Sequence, residues 1–315
     1  MAGHHHHHVG ADAGDRRIWI AIAVNIALTV VQIVGGLFAG SLALIADALH
    51  NLSDGLALVI AFVARRVGRR GADAAMPFGY ARAEIAAALI NYTALIMLGL
   101  YLTGEAFTRL FNPEPVEGWT VVVIAGVALA VDAVTAALVY TMSKTSVNIR
   151  AAFLHNMVDA ASSLAVMVAG ALIIVFGWQI ADPLITLLIS ASILWVAGRE
   201  IGGVIRLVML GTPDGLKTAD VIAALKTVDG VGDVHHARLW AVSETETAFD
   251  AHVVIDPGAW GDADAIKAAI KAKLADEFHV TSSTLELECA AHACVDAPEI
   301  GTGTGSAEPA HSHSH

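Results

Sequence analysis

Six long apolar stretches follow one another over the first two thirds of the chain. They cover residues 18–38, 42–64, 83–108, 119–142, 150–176 and 182–203, and short segments with glycine, proline or clustered charge separate them. A helix needs about 20 apolar residues to cross a bilayer. The pattern therefore predicts a polytopic α-helical membrane protein with six transmembrane helices.

After residue 205 the pattern changes to amphipathic and alternating segments. A helical period predicts helices at 218–228 and 262–278. Alternation of apolar and polar residues predicts strands at 234–242, 247–255 and 280–289. The order α-β-β-α-β predicts a C-terminal α+β domain with an open sheet. We divide the chain into a His-rich tail (1–15), a membrane domain (16–205), an α+β domain (206–296) and a disordered, His-containing tail (297–315).

Composition and charge support this division. Hydrophobic residues make up 56% of the chain and charged residues 15%, a balance that suits a bilayer better than water. Basic residues concentrate in alternate loops: before span 1, between spans 2 and 3, between spans 4 and 5, and after span 6. The positive-inside rule then places both termini and the α+β domain in the cytoplasm. No cleavable signal peptide is apparent, and the net charge of −12 argues against a nucleic-acid partner.

Ionisable residues inside two of the spans repeat the motif His-x-x-x-Asp. His50 and Asp54 lie in span 2, and His155 and Asp159 lie in span 5. Residues four apart share one face of a helix. Two facing helices would therefore bring two imidazoles and two carboxylates to one point, a tetrahedral set that suits zinc. The alternatives are hydrogen bonds between helices and a proton relay without metal. Because a charge at the bilayer centre costs about 2.5–3.5 kcal/mol, the repeated pair favours a metal site.

These four side chains all exchange protons. Zinc binds neutral imidazole and ionised carboxylate, so metal binding and protonation compete for the same atoms. That competition is a physical basis for exchanging a metal ion against protons across the membrane.

Three stretches of sequence carry a resemblance to a known family. They are Gly40-Ser41-Leu42-Ala43-Leu44-Ile45-Ala46-Asp47-Ala48-Leu49-His50 with Asp54, then Pro77-Phe78-Gly79-Tyr80-Ala81-Arg82-Ala83-Glu84, then the segment from His155 to Asp182-Pro183. They resemble the signature of the cation diffusion facilitators, over about residues 16–290. The resemblance implies a homodimeric zinc/proton antiporter of a bacterial inner or plasma membrane, with its transport site on spans 2 and 5. It also implies that the α+β domain is a cytoplasmic dimerisation domain of the ferredoxin or metallochaperone type. A His-Asp pair on each helix is similar to the zinc-preferring branch, with cadmium, cobalt and other divalent metals as further candidate cargoes.

The chain departs from the family pattern at several positions. Tyr80 stands where the family usually has His, Gln32 where span 1 often has Glu, and Asp132 where Asn is expected in span 4. Asp132 either assists proton movement or makes a hydrogen bond to a neighbouring helix. Asp47, near the span 2 His, either orients a ligand or lines a vestibule. The loop between spans 2 and 3 has Asp73 but no His, which argues against the second metal site that some members carry there.

The α+β domain and its flank hold a second group of metal-binding residue types: His235, His236, His252, His279, Glu288, Cys289, His292 and Cys294. By the resemblance, His235, His252 and Glu288 lie near a cytoplasmic zinc site. Cys289-x-x-His292-x-Cys294 either ligates zinc, with a fourth ligand from a tail, or consists of plain thiols, since a disulfide is disfavoured in a reducing cytoplasm. The tails add His4–His8, which resemble an engineered tag, and His311, His313 and His315, which can collect metal weakly.

Two functions remain open at this point. The first is proton-coupled export of zinc, and the second is a membrane-bound metal sensor that transports nothing. An intramembrane metalloenzyme is excluded because the chain lacks a His-Glu-x-x-His helix and a nucleophile–base set, and because four protein ligands leave no open position on zinc. We therefore expect a non-enzymatic antiporter whose partners are zinc, protons, the lipid bilayer and a second copy of the chain.

Overall fold

The computed structural model of the protein describes residues 26–143, 147–243 and 246–301. Some of the predictions fall outside these ranges: the start of the first span at 18–25, the tail at 1–15 with His4–His8, and the end of the chain with His311, His313 and His315. They stay predictions.

The first part of the described chain is a series of long apolar helices. These are α1 (Ile26–Ala39), α2 (Leu42–Gly68), α3 (Ala83–Phe111), α4 (Gly118–Ser143), α5 (Val147–Phe176) and α6 (Ala181–Val208). Helices α2 to α6 are long and apolar enough to cross a membrane, and the described part of α1 is a shorter apolar helix. The predicted helical transmembrane domain is confirmed, and α1 coincides with the described part of the first predicted span.

Large apolar side chains on these helices point outward. Leu44, Leu102 and Val121 are fully buried within the helix packing. Leu138 and Trp195, by contrast, are 72% and 74% exposed. Leaving such surface in water costs about 25 cal/mol per Å², and a bilayer removes that cost.

The start of α2 is fixed by a carboxylate on another helix. Gly40 adopts a φ of +68°, which glycine tolerates, and ends the turn between α1 and α2. The Asp182 carboxylate at the start of α6 accepts hydrogen bonds from the Ser41 hydroxyl and the N–H groups of Leu42 and Ala43. An anion is favoured there because the first N–H groups of a helix have no partner within the helix. Asp182 thereby anchors the helix that carries the first His-x-x-x-Asp pair.

The C-terminal domain has the predicted element order. It consists of α7 (Thr218–Leu225), β1 (Val231–Ala241), β2 (Thr247–Ile255), α8 (Ala263–Phe278) and β3 (Ser282–Cys289), with a short 3-10 turn at Trp260–Asp262. The sheet order is β1-β2-β3, in which β1 and β2 are antiparallel and β2 and β3 are parallel. The α-β-β-α-β prediction is confirmed.

One face of this sheet packs against α7 and α8. Phe249 and Val253 of β2 are buried there with Leu225 of α7 and Ile270 of α8. Successive side chains of a strand point to opposite faces. His252 therefore lies on the opposite face of the sheet. This face does not pack against α7 and α8 and can hold polar side chains.

By residue contacts the chain divides into two compact units. One contains the described residues up to Ala64 together with Ala87–Ile201, and the other contains Arg65–Ala86 and the described residues from Gly202 onward. Within the second unit the Arg82 guanidinium donates hydrogen bonds to the carbonyls of Leu207, at 2.8 Å, and Val208, at 3.2 Å. The residues just before α3 are thus held by the C-terminal end of α6.

Asp73, the acidic residue of that loop, closes a turn. It accepts hydrogen bonds from the N–H groups of Ala75 and Met76 and from the Tyr80 hydroxyl, each at 2.8 Å. These bonds hold the pKa of Asp73 below its ordinary value, with the backbone bond from Met76 as the largest contribution. Tyr80 therefore has a structural role in this loop.

Candidate metal centres

The transmembrane cluster consists of His50 and Asp54 on α2 with His155 and Asp159 on α5. Each imidazole lies near both carboxylates. His50 Nε2 is 3.7 Å from Asp54 Oδ2 and 4.0 Å from Asp159 Oδ1. His155 Nε2 is 3.5 Å from Asp54 Oδ2 and 3.5 Å from Asp159 Oδ2. The ligand atoms of His50, Asp54 and Asp159 all lie within 4.8 Å of one another, and His155 lies outside this group but beside both of its carboxylates.

The dimensions of the transmembrane cluster suit a tetrahedral ion. Zinc bonds of about 2.0–2.1 Å place neighbouring ligand atoms about 3.4 Å apart in a tetrahedron. The four imidazole–carboxylate separations of 3.5–4.0 Å are slightly larger, and His155 lies outside the group formed by the other three ligands, so side-chain movement is needed to close a four-ligand set around one ion. The His155 side chain is 52% exposed and that of Asp159 is 9% exposed, so the cluster is accessible on the His155 side.

Several polar atoms of the transmembrane cluster have no hydrogen-bond partner among the described residues. They are His50 Nδ1, Asp54 Oδ2 and Asp159 Oδ1, and all three are buried. Buried polar atoms are nearly always hydrogen-bonded, and exceptions commonly mark a missing water or ion. The two unpartnered carboxylate oxygens both face the point where the ligand atoms converge, as a cation site requires.

Asp47 lies inside the helix packing. Its side chain is 1% exposed. It accepts hydrogen bonds from Gln32 Nε2 at 2.8 Å, Ser162 Oγ at 2.6 Å and Ser163 Oγ at 3.1 Å. The network ties α1, α2 and α5 together one turn from the transmembrane cluster.

Asp132 of α4 joins the same network. Its Oδ2 lies 3.3 Å from Ser163 Oγ, which is also bonded to Asp47. A serine hydroxyl has one proton and can donate it to one carboxylate at a time. Both contacts are hydrogen bonds only if one carboxyl is protonated and donates to Ser163 Oγ. The arrangement is therefore suited to holding one proton between two carboxylates.

Sequence reasoning missed the serines of this network. Ser162 and Ser163 follow Asp159 by three and four residues, which places them on the same face of α5. That spacing was a usable signal. No comparable spacing links Gln32 to the network, because its partner Asp47 is 15 residues away on another helix.

The C-terminal cluster consists of His235, His252, Glu288 and Cys294, whose ligand atoms all lie within 4.8 Å of one another. His235 Nε2 is 3.3 Å from Glu288 Oε2, and His252 Nδ1 is 2.6 Å from Glu288 Oε1. Cys294 Sγ is 3.3 Å from Glu288 Oε1 and 3.9 Å from His252 Nδ1. These residues form a second candidate metal centre.

Strand register builds the C-terminal cluster. His235 of β1 pairs directly with His252 of β2, and Glu288 of β3 pairs with Val254, two residues along from His252. Directly paired side chains lie about 4.5–5.5 Å apart at Cβ. Residues two apart share one face of a strand, so all three side chains point to the face away from α7 and α8.

Two atoms show how this cluster is held. His235 is 2% exposed, and its Nε2 is buried without a hydrogen-bond partner in the described part of the chain. Glu288 is by contrast well partnered: it accepts hydrogen bonds from the backbone N–H of Cys294 at 3.1 Å and from His252. Glu288 is thus positioned by hydrogen bonds within the protein.

Ionisation in the C-terminal cluster follows from these contacts. Burial acts to raise the pKa of Glu288, but hydrogen bonds from Cys294 and His252 outweigh it and hold that pKa below the ordinary value. Burial, together with the hydrogen bond to Glu288, raises the pKa of the Cys294 thiol. A metal ion bound here would therefore displace the thiol proton.

The other candidate residues of the C-terminal domain do not join this four-residue group. The His236 ring is 5.0 Å from the His252 ring, but its Nδ1 bonds to the Gly301 carbonyl at 2.9 Å. Cys289 Sγ lies 3.0 Å from His292 Nδ1 and forms a separate pair. His279 is the exposed residue that ends α8, with a left-handed φ of 53°. Within the described residues neither His279 nor the Cys289–His292 pair belongs to a three-ligand group.

The fold and the two clusters define a class: a polytopic helical membrane protein with a carboxylate–imidazole cation site and a small α+β domain. Family models agree, since residues 18–207 match the cation efflux transmembrane domain and residues 213–289 match the cation efflux protein, cytoplasmic domain. The chain belongs to the cation efflux family, which confirms the resemblance to cation diffusion facilitators.

Curated relatives are similar over nearly the whole chain. The cadmium, cobalt and zinc/H(+)-K(+) antiporter of Bacillus velezensis is 31% identical over 92% of this chain and 93% of its own. The metal cation efflux system protein CzcD of Cupriavidus metallidurans is 33% identical over 92% of this chain and 90% of its own. The zinc transporter ZitB of Escherichia coli is 32% identical over 91% of this chain and 93% of its own.

Proposed function

We propose that this protein exports zinc from the cytoplasm in exchange for protons, by alternating access of the transmembrane cluster. His50, Asp54, His155 and Asp159 each supply one ligand atom. One observation carries the proposal: three ligand residues lie close together with His155 beside their carboxylates, and two buried carboxylate oxygens are unpartnered among the described residues, all on helices apolar enough to cross a membrane.

The same ligands account for proton coupling. Zinc binding needs both imidazoles neutral and both carboxylates ionised, so protons arriving from outside displace the ion. The Asp47–Ser163–Asp132 arrangement supports the coupling, because it provides a place for a further proton beside the site. None of its members is needed as a metal ligand.

The relatives support the cargo and the assembly. Their names include zinc, cadmium and cobalt among the metals that those proteins handle. We propose zinc as the main cargo here, with cadmium and cobalt as further ions. We also propose a homodimer in a bacterial inner membrane, with both termini in the cytoplasm, from the match to the family's cytoplasmic domain and the placement of basic loops.

The C-terminal cluster is the second part of the proposal. His235, His252, Glu288 and Cys294 bind a zinc ion that stays with the protein. The buried and unpartnered His235 Nε2, directed toward Glu288, supports this assignment. Thiolate, imidazole and carboxylate are each ligands that zinc accepts.

Zinc flux into proteoliposomes under an imposed pH gradient tests the transport proposal. We expect the unmodified protein to move zinc when protons flow the other way. Asp54→Ala and Asp159→Ala should move almost none, because each removes a ligand and a competing proton site. Asp264→Ala is the matched control, since this carboxylate is 96% exposed on α8 and should leave flux unchanged.

A metal sensor without transport predicts a different result. Such a protein would bind zinc at the transmembrane cluster but give no flux at any pH gradient. Equal flux in the Asp54→Ala protein and the unmodified protein would also contradict the proposed site.

A further inference from the structure

The residues that follow β3 do not leave the C-terminal domain. Residues 290–301, which we call the tail segment, turn back along the edge of the sheet, and Ile300 forms a parallel bridge with Ala237 of β1. The segment therefore adds to the sheet beside β1, which is an edge strand in the order β1-β2-β3.

A bulge in β1 prepares this docking site. His235 pairs with His252, and regular pairing with β2 resumes at Arg238. His236 lies in the bulge with φ 51°, a conformation that costs a non-glycine residue about 1–2 kcal/mol. The N–H groups of His236 and Ala237 need partners outside β2, because buried backbone donors are almost always bonded.

The tail segment supplies these partners. The His236 N–H donates to the Pro298 carbonyl at 2.9 Å, and the Ala237 N–H donates to the Glu299 carbonyl at 2.9 Å. In return the Gly301 N–H donates to the Ala237 carbonyl at 3.0 Å. Ala237 is fully buried, so water cannot replace these bonds without the segment moving away.

Side chains add two more attachments. Lys226 Nζ bonds to Glu299 Oε1 at 2.6 Å and to Asp233 Oδ1 at 2.9 Å, and so joins the segment to the start of β1. His236 Nδ1 bonds to the Gly301 carbonyl at 2.9 Å. The bulge that follows the ligand His235 is thus itself held by the tail segment.

Cys294 is the point where the tail segment enters the C-terminal cluster. Its N–H donates to Glu288 Oε2 at 3.1 Å, and its Sγ lies 3.3 Å from Glu288 Oε1 and 3.9 Å from His252 Nδ1. The other three members of the cluster belong to β1, β2 and β3. Cys294 is therefore the member of the cluster that lies outside the sheet.

We propose that a zinc ion in the C-terminal cluster fastens the tail segment to the sheet through Cys294. The ion joins a thiolate of the segment to His235, which precedes the bulge where the segment docks. Zinc binding and docking of the segment then stabilise each other, because coupling between two binding events is reciprocal. With zinc bound the tail segment covers the β1 edge more stably, and without zinc only its hydrogen bonds to β1 and the Lys226–Glu299 ion pair hold it there. This inference rests on the proposed C-terminal zinc site and is independent of transport.

Hydrogen exchange of the full-length protein in detergent tests the proposal with zinc as the probe. We expect zinc to slow exchange in peptides covering 295–301 and 233–240 at least about tenfold, which corresponds to about 1.4 kcal/mol. Cys294→Ser should reduce the zinc effect to less than about twofold. Cys289→Ser is the matched control, because this nearby thiol pairs with His292 outside the cluster, and it should keep the full effect.

A second variant tests the reverse direction. Glu299→Ala removes an attachment of the tail segment and touches no ligand, so it should weaken zinc binding at the C-terminal cluster several-fold. All samples carry Asp159→Ala, which disables the transmembrane cluster, so failure of the transport proposal leaves these results unchanged. Full zinc protection in Cys294→Ser, or zinc binding without any protection of the segment, would overturn the inference.

Discussion

The two candidate metal clusters of this protein differ in where their ligands come from and in how their carboxylates are partnered. In the transmembrane cluster the ligands come as two pairs, each four residues apart on one helix, and the carboxylate oxygens Asp54 Oδ2 and Asp159 Oδ1 have no hydrogen-bond partner in the described chain. In the C-terminal cluster the ligands come from three strands and the tail segment, and Glu288 already accepts several hydrogen bonds. The carboxylates of the transmembrane cluster each have an oxygen without a hydrogen bond among the described residues, whereas the carboxylate of the C-terminal cluster is held by several hydrogen bonds.

This difference fits two kinds of metal chemistry. A transported ion has to leave, so its ligands need alternative occupants, and the unpartnered atoms of the transmembrane cluster can take protons in its place. A resident ion benefits from ligands fixed in advance, because less ordering is lost when it binds. The comparison suggests exchange at the first cluster and retention at the second.

Removing one histidine from each cluster in turn is expected to give the largest difference in zinc flux between the two clusters. His155→Ala should lower zinc flux more than about 100-fold, since losing even a residue that supports a ligand costs about 10–100-fold in metal affinity. His235→Ala should lower flux less than about threefold, although it weakens zinc binding in the C-terminal domain. Proteoliposome flux and equilibrium zinc binding on the same preparations distinguish the two. Equal loss of flux in both variants would show that the clusters act as one transport unit.

Metal choice offers a smaller and more specific test. His50→Asp should lower the zinc-to-cadmium flux ratio about tenfold, or about 1.4 kcal/mol of differential binding. A carboxylate can bind through one or two oxygens and so accommodates a larger ion than a fixed imidazole does. The matching change in the C-terminal domain, His279→Asp at the end of α8, should leave the ratio unchanged. An unaltered ratio in His50→Asp would mean that selectivity is set elsewhere.

The contrast also explains what could be read from the sequence. Helix period alone relates His50 to Asp54 and His155 to Asp159, so the transmembrane cluster could be predicted once α2 and α5 were taken to face each other. The C-terminal cluster depends on strand register, and residue type alone does not separate His236 from His252, which only the family resemblance singles out. The bulge in β1 turns the His236 ring toward Gly301. No local sequence pattern predicts a bulge at this position.

Cys294 shows the same limit more sharply. The sequence spacing groups Cys294 with Cys289 and His292 as one candidate zinc motif. The structure instead places Cys294 beside Glu288 and leaves Cys289 with His292. The turn after β3 decides this, and it depends on hydrogen bonds to β1 that lie far away in the sequence.

The smallest expected effect concerns the hydrogen bonds that hold the Glu288 carboxylate in the C-terminal cluster. Because hydrogen bonds hold the pKa of Glu288 below its ordinary value of 4.5, the ionised carboxylate stabilises the folded domain. This contribution is fully present above pH 4.5 and is lost as the pH falls through the lowered pKa of the folded state. A hydrogen bond to a charged group contributes about 1.5–3 kcal/mol, so Glu288→Gln should cost about 1–2 kcal/mol at neutral pH in zinc-free protein.

Hydrogen exchange of β2 and β3 amides, measured with chelator present, checks this expectation. The gap between Glu288→Gln and the unmodified protein should be largest near pH 7 and should shrink as the pH falls below 4.5. Glu286→Gln is the control, since Glu286 lies on the same face of β3 but is 67% exposed, and exposed ion pairs contribute about 0–1 kcal/mol. If Glu288→Gln left the exchange unchanged at neutral pH, the hydrogen bonds to Glu288 would not stabilise the C-terminal cluster. The two clusters would then differ only in their place in the fold.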